Sequence, residues 1–229
     1  MKLLSFKKED GKVTAGWIEG EHVIDMHESS NGKLPNNLLN YIENHENYKR
    51  DLGRLLSNHN NLTKYLLSTV EVLAPIQRPV SIRDFYAFEE HVKTARGRRG
   101  LDVVPEWYEI PVFYFTNHLA VKGPNESIKR PAKCEWLDYE LEIACVIGKE
   151  GKNIKVEDAE DYIFGYCIMN DWSARDLQAQ EMKVGLGPAK GKDFATSFGP
   201  YIVTKEELAA YQSGKGFDLT MTAKVNEKL

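Results

Sequence analysis

The sequence predicts a mostly β fold with some α-helix, in which a small α+β domain over residues 1–75 precedes a larger, mostly β body over residues 76–229. Three observations predict this architecture. Short alternations of apolar and polar residues open the chain, a proline-containing stretch follows, and aromatic segments broken by Gly and Pro fill the rest. The length of 229 residues allows a large domain with a smaller appendage, and the 42% of hydrophobic residues supplies a core for either.

The composition excludes several classes of protein. The net charge is −4, from 30 Lys and Arg against 34 Asp and Glu, whereas nucleic-acid binding requires a basic face. No apolar stretch approaches the roughly 20 residues that span a bilayer, and the first residues are too charged for a signal peptide. Three widely spaced cysteines indicate neither a disulfide framework nor a zinc site. We therefore expect a cytoplasmic protein that binds neither nucleic acid nor a membrane.

The first domain is predicted to be a three-stranded sheet with a helical cover. From Leu38 onward, apolar residues are spaced as in amphipathic helices, which we expect to cover one face of the sheet. Pro75 and Pro79 cannot continue a helix or a central strand, so residues 70–80 are predicted to be a linker. The predicted strands, separated by glycine-containing turns, are residues 2–7, 13–18 and 22–25.

The body is predicted to consist of strands and one clear helix that begins at Trp172. The last alternating segment is followed by a turn at residues 226–228, and this hairpin has no return strand in the chain. We therefore expect the C-terminal part of the body to be missing. The predicted strands of the body are residues 111–115, 137–148, 162–169, 201–203 and 219–225.

Two glutamates on a strand of the body are candidates for a metal site. Glu140 and Glu142 are two residues apart, so on a strand they point to the same face, about 7 Å apart. That face continues into Ala144 and Val146, which indicates a half-buried position. Neighbouring buried carboxylates repel each other, and a hard divalent cation between them removes the repulsion. An exposed strand face with two solvated glutamates explains this segment equally well.

A second segment adds an acidic residue beside two polar donors. Asp171 lies where a strand is predicted to end and a helix to begin, so it is either an N-cap or a site residue. Arg175 and Gln178 are three residues apart and share a helix face above Asp171. An acidic group beside a cation and an amide suits the binding of an oxyanion or carboxylate next to a metal. A surface pair between Asp171 and Arg175 is the alternative.

The remaining candidates are a lysine and a histidine. The glycine-rich segment before Lys192 lacks the spacing of a phosphate-binding loop, which excludes nucleotide binding. A lysine flanked by glycine can place an ammonium beside developing negative charge, although most lysines are merely solvated. Asp84 and His91 are seven residues apart and would share one face of a short helix. Histidine suits proton transfer near neutral pH, although a lone histidine is more often incidental.

A basic, glycine-containing loop follows His91. It is either a patch for nucleic acid or phosphate, or a mobile lid that meets an anionic small molecule. The lid fits better, because the protein as a whole is acidic. The basic residues of this loop are Lys93, Arg96, Arg98 and Arg99.

Taken together, these segments resemble the fumarylacetoacetate hydrolase family. The order and approximate spacing of the motifs agree from about residue 81 to residue 225, and the N-terminal domain resembles that of the longer family members. The motifs are Asp84-Phe85-Tyr86 with His91, Pro111-Val112-Phe113-Tyr114, Leu137-Asp138-Tyr139-Glu140-Leu141-Glu142, Asn170-Asp171-Trp172-Ser173-Ala174-Arg175-Asp176-Leu177-Gln178, and Leu186-Gly187-Pro188 leading to Gly191-Lys192.

The resemblance implies a β-roll body that holds Mg²⁺, Mn²⁺ or Ca²⁺. The metal ligands it implies are Glu140, Glu142 and Asp171, with Asp84 as a fourth carboxylate. It further implies a homodimer that hydrolyses a carbon–carbon bond in an anionic 2,4-dioxo or β-diketo acid, such as a fumarylacetoacetate-like or acylpyruvate-like compound from aromatic catabolism.

The resemblance also assigns roles to the other candidates. His91 matches the general base that activates water in the hydrolases of the family. The groups that stabilise the oxyanion match Arg175, Gln178 and Lys192, and the tyrosines that contact the substrate match Tyr86 and Tyr114.

The sequence leaves the activity open between several alternatives. The same scaffold carries isomerases and decarboxylases that act on oxo-acid enolates, and a non-catalytic, metal-stabilised binding protein is a further alternative. The family's loop arginine has no unambiguous match among Arg96, Arg98 and Arg99. Members of the family continue for several tens of residues beyond the point that matches Leu229, and in the hydrolases that part carries a glutamate that orients the histidine and a threonine that binds substrate.

Overall fold

The computed structural model describes residues 1–58 and 61–229, and the mostly β fold with some α-helix is confirmed. The strands in that part of the chain are β1 (Lys2–Lys7), β2 (Val13–Glu19), β3 (His22–Asp25), β4 (Lys64–Leu66), β5 (Glu71–Leu73), β6 (Ile82–Phe85), β7 (Phe113–Thr116), β8 (Val121–Lys122), β9 (Leu137–Asp138), β10 (Glu142–Ile147), β11 (Ile163–Asp171), β12 (Ser173–Ala174), β13 (Thr196–Phe198), β14 (Ile202–Thr204), β15 (Gln212–Ser213) and β16 (Gly216–Phe217). The α-helices are α1 (Met26–Ser29), α2 (Leu38–Glu43), α3 (His45–Ser57), α4 (Glu89–Gly97), α5 (Glu106–Glu109), α6 (Arg175–Glu181), α7 (Ala189–Lys192) and α8 (Lys205–Leu208).

Ten of the described strands form one sheet. Its main order is β4-β3-β2-β1-β14-β11-β13-β8, while β5 also pairs with β1 and β10 with β11. The remaining described strands form three antiparallel pairs, β6 with β7, β9 with β12, and β15 with β16. Among the described residues, no helix combines the length and apolar character that a membrane span needs.

The predicted N-terminal strands and their helical cover are confirmed. β1, β2 and β3 pair in antiparallel order, with Leu3 opposite Trp17 and Trp17 opposite Ile24. Helix α2 starts at an N-cap, Asn37, whose side chain accepts the N–H of Asn40 at 3.0 Å. Its apolar face packs on the sheet, because Leu38 and other apolar residues of α2 share one core with the apolar residues of β1, β2 and β3.

The prediction of a linker over residues 70–80 was wrong in part. Residues 71–73 form β5, which pairs antiparallel with the end of β1, where Ser5 lies opposite Leu73. Proline lacks an N–H but keeps a carbonyl, and the carbonyl of Pro75 accepts a hydrogen bond from the Ser5 hydroxyl at 2.7 Å. The proline therefore ends the strand and still contributes to its attachment.

The first strand also joins the sheet of the body. Lys2 and Leu3 pair with Val203 and Ile202 of β14, and Leu3 shares its core with Cys167 of β11. Because β1 pairs with β14 at one end and with β5 at the other, strands from both parts of the chain lie in one sheet. The predicted domain boundary near residue 75 stays a prediction.

Several strands of the body lie where they are predicted, with local differences at residues 139–141, 172–174 and 219–224 and around Asp84. Residues 219–224 form no strand, because no described strand pairs with them, and only Val225 bridges to Lys228 across the predicted turn. The predicted helix at Trp172 begins at Arg175, because Ser173 and Ala174 first pair with β9. Asp84 and His91 do not share a helix, because the apolar alternation around Asp84 forms β6 and only His91 lies on α4.

Candidate metal centre

Three carboxylates converge at one end of the body. They belong to Asp84 on β6, to Glu140 just before β10, and to Glu142, the first residue of β10. One oxygen of each lies within 4.8 Å of the others. Asp84 is buried because it shares the inner face of the β6–β7 hairpin with Ile82 and Thr116, whereas the alternate residues of that hairpin are exposed.

The two glutamates do not lie on one uninterrupted strand, which corrects the prediction of a single strand over residues 137–148. The chain leaves the strand conformation between β9 and β10, so Glu140 is outside the ladder while Glu142 pairs with Met169. The N–H of Glu140 is satisfied instead by the Asn170 side chain, whose Oδ1 accepts it at 3.0 Å. One oxygen of each glutamate lies within 4.8 Å of the other, whereas the Cα atoms of alternate residues on a regular strand are about 7 Å apart.

Asp171 is the last residue of β11 and is fully buried, with 0% exposure. It is not an N-cap, because Ala174 precedes α6, and it does not pair with Arg175 on the surface, because that guanidinium lies against Asp138 and Glu140. The Thr196 hydroxyl donates to Asp171 Oδ1 at 3.3 Å. Burial of an acidic side chain with polar partners therefore favours the site interpretation of Asp171 over both alternatives.

Tyr114 connects Asp171 to the three carboxylates. Its hydroxyl lies 2.9 Å from Asp84 Oδ2 and also contacts Asp171 Oδ2. Burial and the two nearby carboxylates raise the pKa of Tyr114 far above its usual range, so the phenol stays protonated. The structure thus brings together the four predicted metal-site carboxylates and one of the two predicted substrate tyrosines.

Two positively charged side chains lie against the same carboxylates. Lys192 is buried, and its Nζ lies 2.7 Å from Glu140 Oε2 and 3.2 Å from Asp171 Oδ2. Arg175 donates from Nη1 to Glu140 Oε1 at 2.9 Å and to Gln178 Oε1 at 3.2 Å. Its Nε donates to Asp138 Oδ2 at 2.8 Å. Both oxygens of Glu140 therefore accept from a cation.

The pKa values of the carboxylates are shifted in different directions. Burial, opposed by the Tyr114 hydrogen bond and supported by the charge of Asp171, raises the pKa of Asp84 to about 7. Burial and the charges of Asp84, Glu140 and Asp171 raise the pKa of Glu142 to about 9. Burial acts in the same direction on Glu140, but Lys192 and Arg175 outweigh it and hold its pKa below the usual value.

The residues of this cluster fit a divalent metal ion. Glu142 Oε2 is buried and has no hydrogen-bond partner among the described residues. If the four carboxylates and Asp138, which pairs with Arg175, are all ionised, Lys192 and Arg175 leave three negative charges, and one divalent ion reduces this excess to one. Carboxylate oxygens are also the ligands that Mg²⁺, Mn²⁺ and Ca²⁺ prefer.

His91 lies apart from this cluster. It is solvent-exposed on α4, and its ring packs edge-on against Tyr86 with 5.5 Å between ring centroids. Among the described residues it has no hydrogen bond or ion pair that joins it to the carboxylates. Tyr86 is exposed as well, and its carbonyl accepts from the Trp107 indole at 2.7 Å.

The structure adds polar residues that sequence reasoning did not select. Asp138 anchors Arg175, Asn170 anchors the backbone of Glu140, and Thr196 contacts Asp171. The sequence pattern could have identified Asp138, because it is two residues before Glu140 and four before Glu142 and would share their face of a strand. No such signal marks Thr196, which reaches Asp171 only through strand pairing.

Comparison with known proteins gives one family. A family model described as the C-terminal domain of fumarylacetoacetate (FAA) hydrolase matches residues 81–229. The fumarylacetoacetase of Dictyostelium discoideum is 34% identical over 168 residues, covering 63% of this chain and 39% of that protein. An oxaloacetate tautomerase of Xenopus laevis is 28% identical over 220 residues, covering 91% of this chain and 63% of that protein.

A solved structure shows the same fold. The maleylpyruvate hydrolase of Sphingobium sp. SYK-6, in complex with manganese(II) and pyruvate, superposes with a TM-score of 0.63 at 21% identity, over 90% of this chain and 68% of that one. This likeness supports the predicted fold class. The chain spans about two fifths of the length of the fumarylacetoacetase that it matches.

Proposed function

This chain belongs to the fumarylacetoacetate hydrolase family, and on that premise we propose that it is a divalent-metal-dependent hydrolase that cleaves a carbon–carbon bond in an anionic diketo acid. The observation that carries the proposal is a cluster of buried and half-buried carboxylates, in which one buried oxygen of Glu142 lacks a hydrogen-bond partner while Lys192 and Arg175 lie against Glu140. Most buried polar atoms have a partner; three described side-chain atoms lack one, and of these the Glu142 oxygen belongs to this carboxylate cluster, whereas the others belong to Asp25 and Thr116.

The proposed metal ligands are Asp84, Glu140, Glu142 and Asp171. A bound divalent ion would polarise the oxo and carboxylate oxygens of the substrate. The manganese in the structural neighbour supports a divalent ion of this kind.

Arg175, Gln178 and Lys192 are proposed to stabilise the oxyanion that forms when water adds to the substrate carbonyl. The Arg175 guanidinium is held at Nε and Nη1 by two carboxylates, so its orientation is set before substrate binds. Lys192 is held by two further carboxylate oxygens. A donor held in place in this way contributes about 3 kcal/mol to lowering the barrier.

His91 is proposed as the general base, with Tyr86 and Tyr114 in contact with substrate. His91 takes a proton from water, and the hydroxide oxygen bonds to the carbonyl carbon. The oxyanion then re-forms the C=O double bond as the carbon–carbon bond breaks, the departing carbon keeps the electron pair, and that carbon receives the proton that His91 took from water.

The predicted basic loop is only partly a loop, because Lys93 and Arg96 lie on α4 and only Arg98 and Arg99 follow it. Because His91 is exposed on α4, its proposed role requires α4 to close over the carboxylates.

A second activity has its own support. An isomerase, tautomerase or decarboxylase acting on an oxo-acid enolate needs the same carboxylates and cations but no water-activating base beside them. The exposure of His91 favours this candidate, as does the oxaloacetate tautomerase that matches 91% of this chain. In either case we propose a cytoplasmic homodimer that acts on an anionic oxo acid from aromatic catabolism.

The deciding experiment measures turnover of fumarylpyruvate, an acylpyruvate, fumarylacetoacetate and oxaloacetate with Mg²⁺ or Mn²⁺. The hydrolase proposal expects cleavage of a diketo acid that falls at least about hundredfold in His91→Ala. Tautomerisation or decarboxylation of oxaloacetate that survives His91→Ala supports the second activity instead. Mn²⁺ binding without turnover of any of the four compounds supports a non-catalytic protein and rejects both.

A further inference from the structure

Helix α7, which carries Lys192, packs directly against helix α6, which carries Arg175 and Gln178. Helix α7 has four residues and follows α6 after a 3₁₀ turn, Met182–Val184, and a short glycine-containing stretch. Gly185 and Gly187 in this connection adopt positive φ values of 78° and 122°, which favour glycine. So short a helix does not hold its own position, and other contacts must place Lys192.

The carboxylate of Glu181, the last residue of α6, makes one of those contacts. Its Oε2 accepts the N–H of Lys190 at 2.6 Å and its Oε1 accepts the N–H of Gly191 at 2.7 Å. Both N–H groups belong to the first turn of α7, where they have no partner within the helix. One side chain of α6 thus holds α7 immediately before Lys192.

Gly191 makes the second contact. A Cβ atom at this position would lie 2.6 Å from Gln178 Cβ and 2.9 Å from Gln178 Cα. Only glycine therefore allows α7 to approach α6 this closely. At that separation, Lys192 reaches Glu140 Oε2 while Arg175 of α6 reaches Glu140 Oε1.

We infer that Glu181 is a positioning residue that holds Lys192 against Glu140 and Asp171. Lys192 and Lys190 offer an internal comparison, because the Lys192 side chain is 5% exposed and that of Lys190 is 81% exposed. Breaking the Glu181 contacts releases α7 and exposes Lys192, whereas Lys190 is already exposed. The role of this arrangement in catalysis rests on the proposed function, but the position of Lys192 does not.

The first arm of the test needs no activity. The full-length protein is acetylated with a water-soluble N-hydroxysuccinimide ester, and labelling at Lys192 relative to Lys190 is followed by mass spectrometry. We expect the ratio to rise about tenfold in Glu181→Gln, since two charge-assisted hydrogen bonds are weakened. Gly191→Ala should raise the ratio similarly without changing any charge, while Gln180→Ala, an exposed neighbour on α6, should leave it unchanged. An unchanged ratio in both Glu181→Gln and Gly191→Ala, or an equal rise in the control, overturns the inference.

The second arm tests the consequence for turnover in the Mn²⁺-loaded protein. We expect Glu181→Gln to lower kcat about tenfold with KM changed less than about twofold, and to have no further effect in a Lys192→Met background. Full additivity of the two substitutions overturns a role through Lys192. If the wild-type protein turns over none of the four oxo acids, the proposed function fails, while the labelling ratio still decides whether Glu181 positions Lys192.

Discussion

Glu142→Gln is the substitution that most directly tests the candidate metal centre. Burial and three neighbouring carboxylates raise the pKa of Glu142 from its usual 4.5 to about 9. Between these values the folded protein keeps a proton on Glu142 that the unfolded chain releases. The contribution of this group to the free energy of unfolding therefore falls as the pH rises from about 4.5 to about 9.

The magnitude follows from the width of that window. At pH 7 the pH is about 2.5 units above the pKa of Glu142 in the unfolded chain, and each unit changes the free energy of unfolding by about 1.4 kcal/mol. Glu142 therefore lowers the free energy of unfolding by about 3 kcal/mol in the absence of a metal ion. Glutamine has nearly the same shape and does not ionise. With a chelator present, Glu142→Gln should therefore raise the free energy of unfolding at pH 7, with a smaller gain at pH 5.

Urea denaturation at pH 5 and pH 7, with a chelator or with Mn²⁺, measures both consequences. Mn²⁺ should stabilise the wild-type protein, because only the folded state assembles the carboxylates, and should stabilise Glu142→Gln much less. Glu150→Gln, at an exposed position, is the matched control and should change neither quantity. A chelator-treated Glu142→Gln protein that is less stable than wild type at pH 7, or one that Mn²⁺ stabilises as strongly, would refute the reasoning.

Two further predictions concern the oxyanion donors and the core. Arg175→Lys keeps the charge but loses the planar fork that spans Asp138 and Glu140, so kcat should fall about hundredfold while the Kd for Mn²⁺, measured by calorimetry, changes only a few-fold. An unchanged kcat would contradict the proposed role of Arg175. Phe6→Ala removes a fully buried ring and should lower the free energy of unfolding by about 3–5 kcal/mol in urea, against less than about 0.5 kcal/mol for the exposed Val13→Ala; equal losses would contradict the assignment of the core.

The N-terminal strands and helices were predictable because the sequence patterns that indicate them involve only residues close together in the chain. Alternation with period two, glycine turns and helix spacing depend only on neighbours along the chain, and the strands β1 to β3 and helices α2 and α3 lie where these patterns put them. Residues 71–73 and 219–224 show the limit of such patterns. Residues 71–73 form a strand because they pair with β1, whereas residues 219–224 pair with no described strand.

The candidate site was predictable in its residue types and in part of its geometry. Glu140 and Glu142 alternate around Leu141, and the residues of this face are more buried than those of the opposite face, as expected for a half-buried strand. The local sequence left Asp171 open between an N-cap and a site residue. Pairing of residues 173–174 with β9 moved the helix start and left Asp171 buried beside Thr196 and Tyr114.

By itself, the amino-acid sequence determined the fold class, the family resemblance and the carboxylates, cations and tyrosine that meet in the candidate site. Only the tertiary structure decided how they meet, because Asp84, Glu140, Asp171 and Lys192 come from segments far apart in the chain. Their pKa values depend on burial and on one another's charges, which exist only once those segments pack together. The same holds for Glu181, whose two hydrogen bonds to the start of α7 depend on the close approach of two helices.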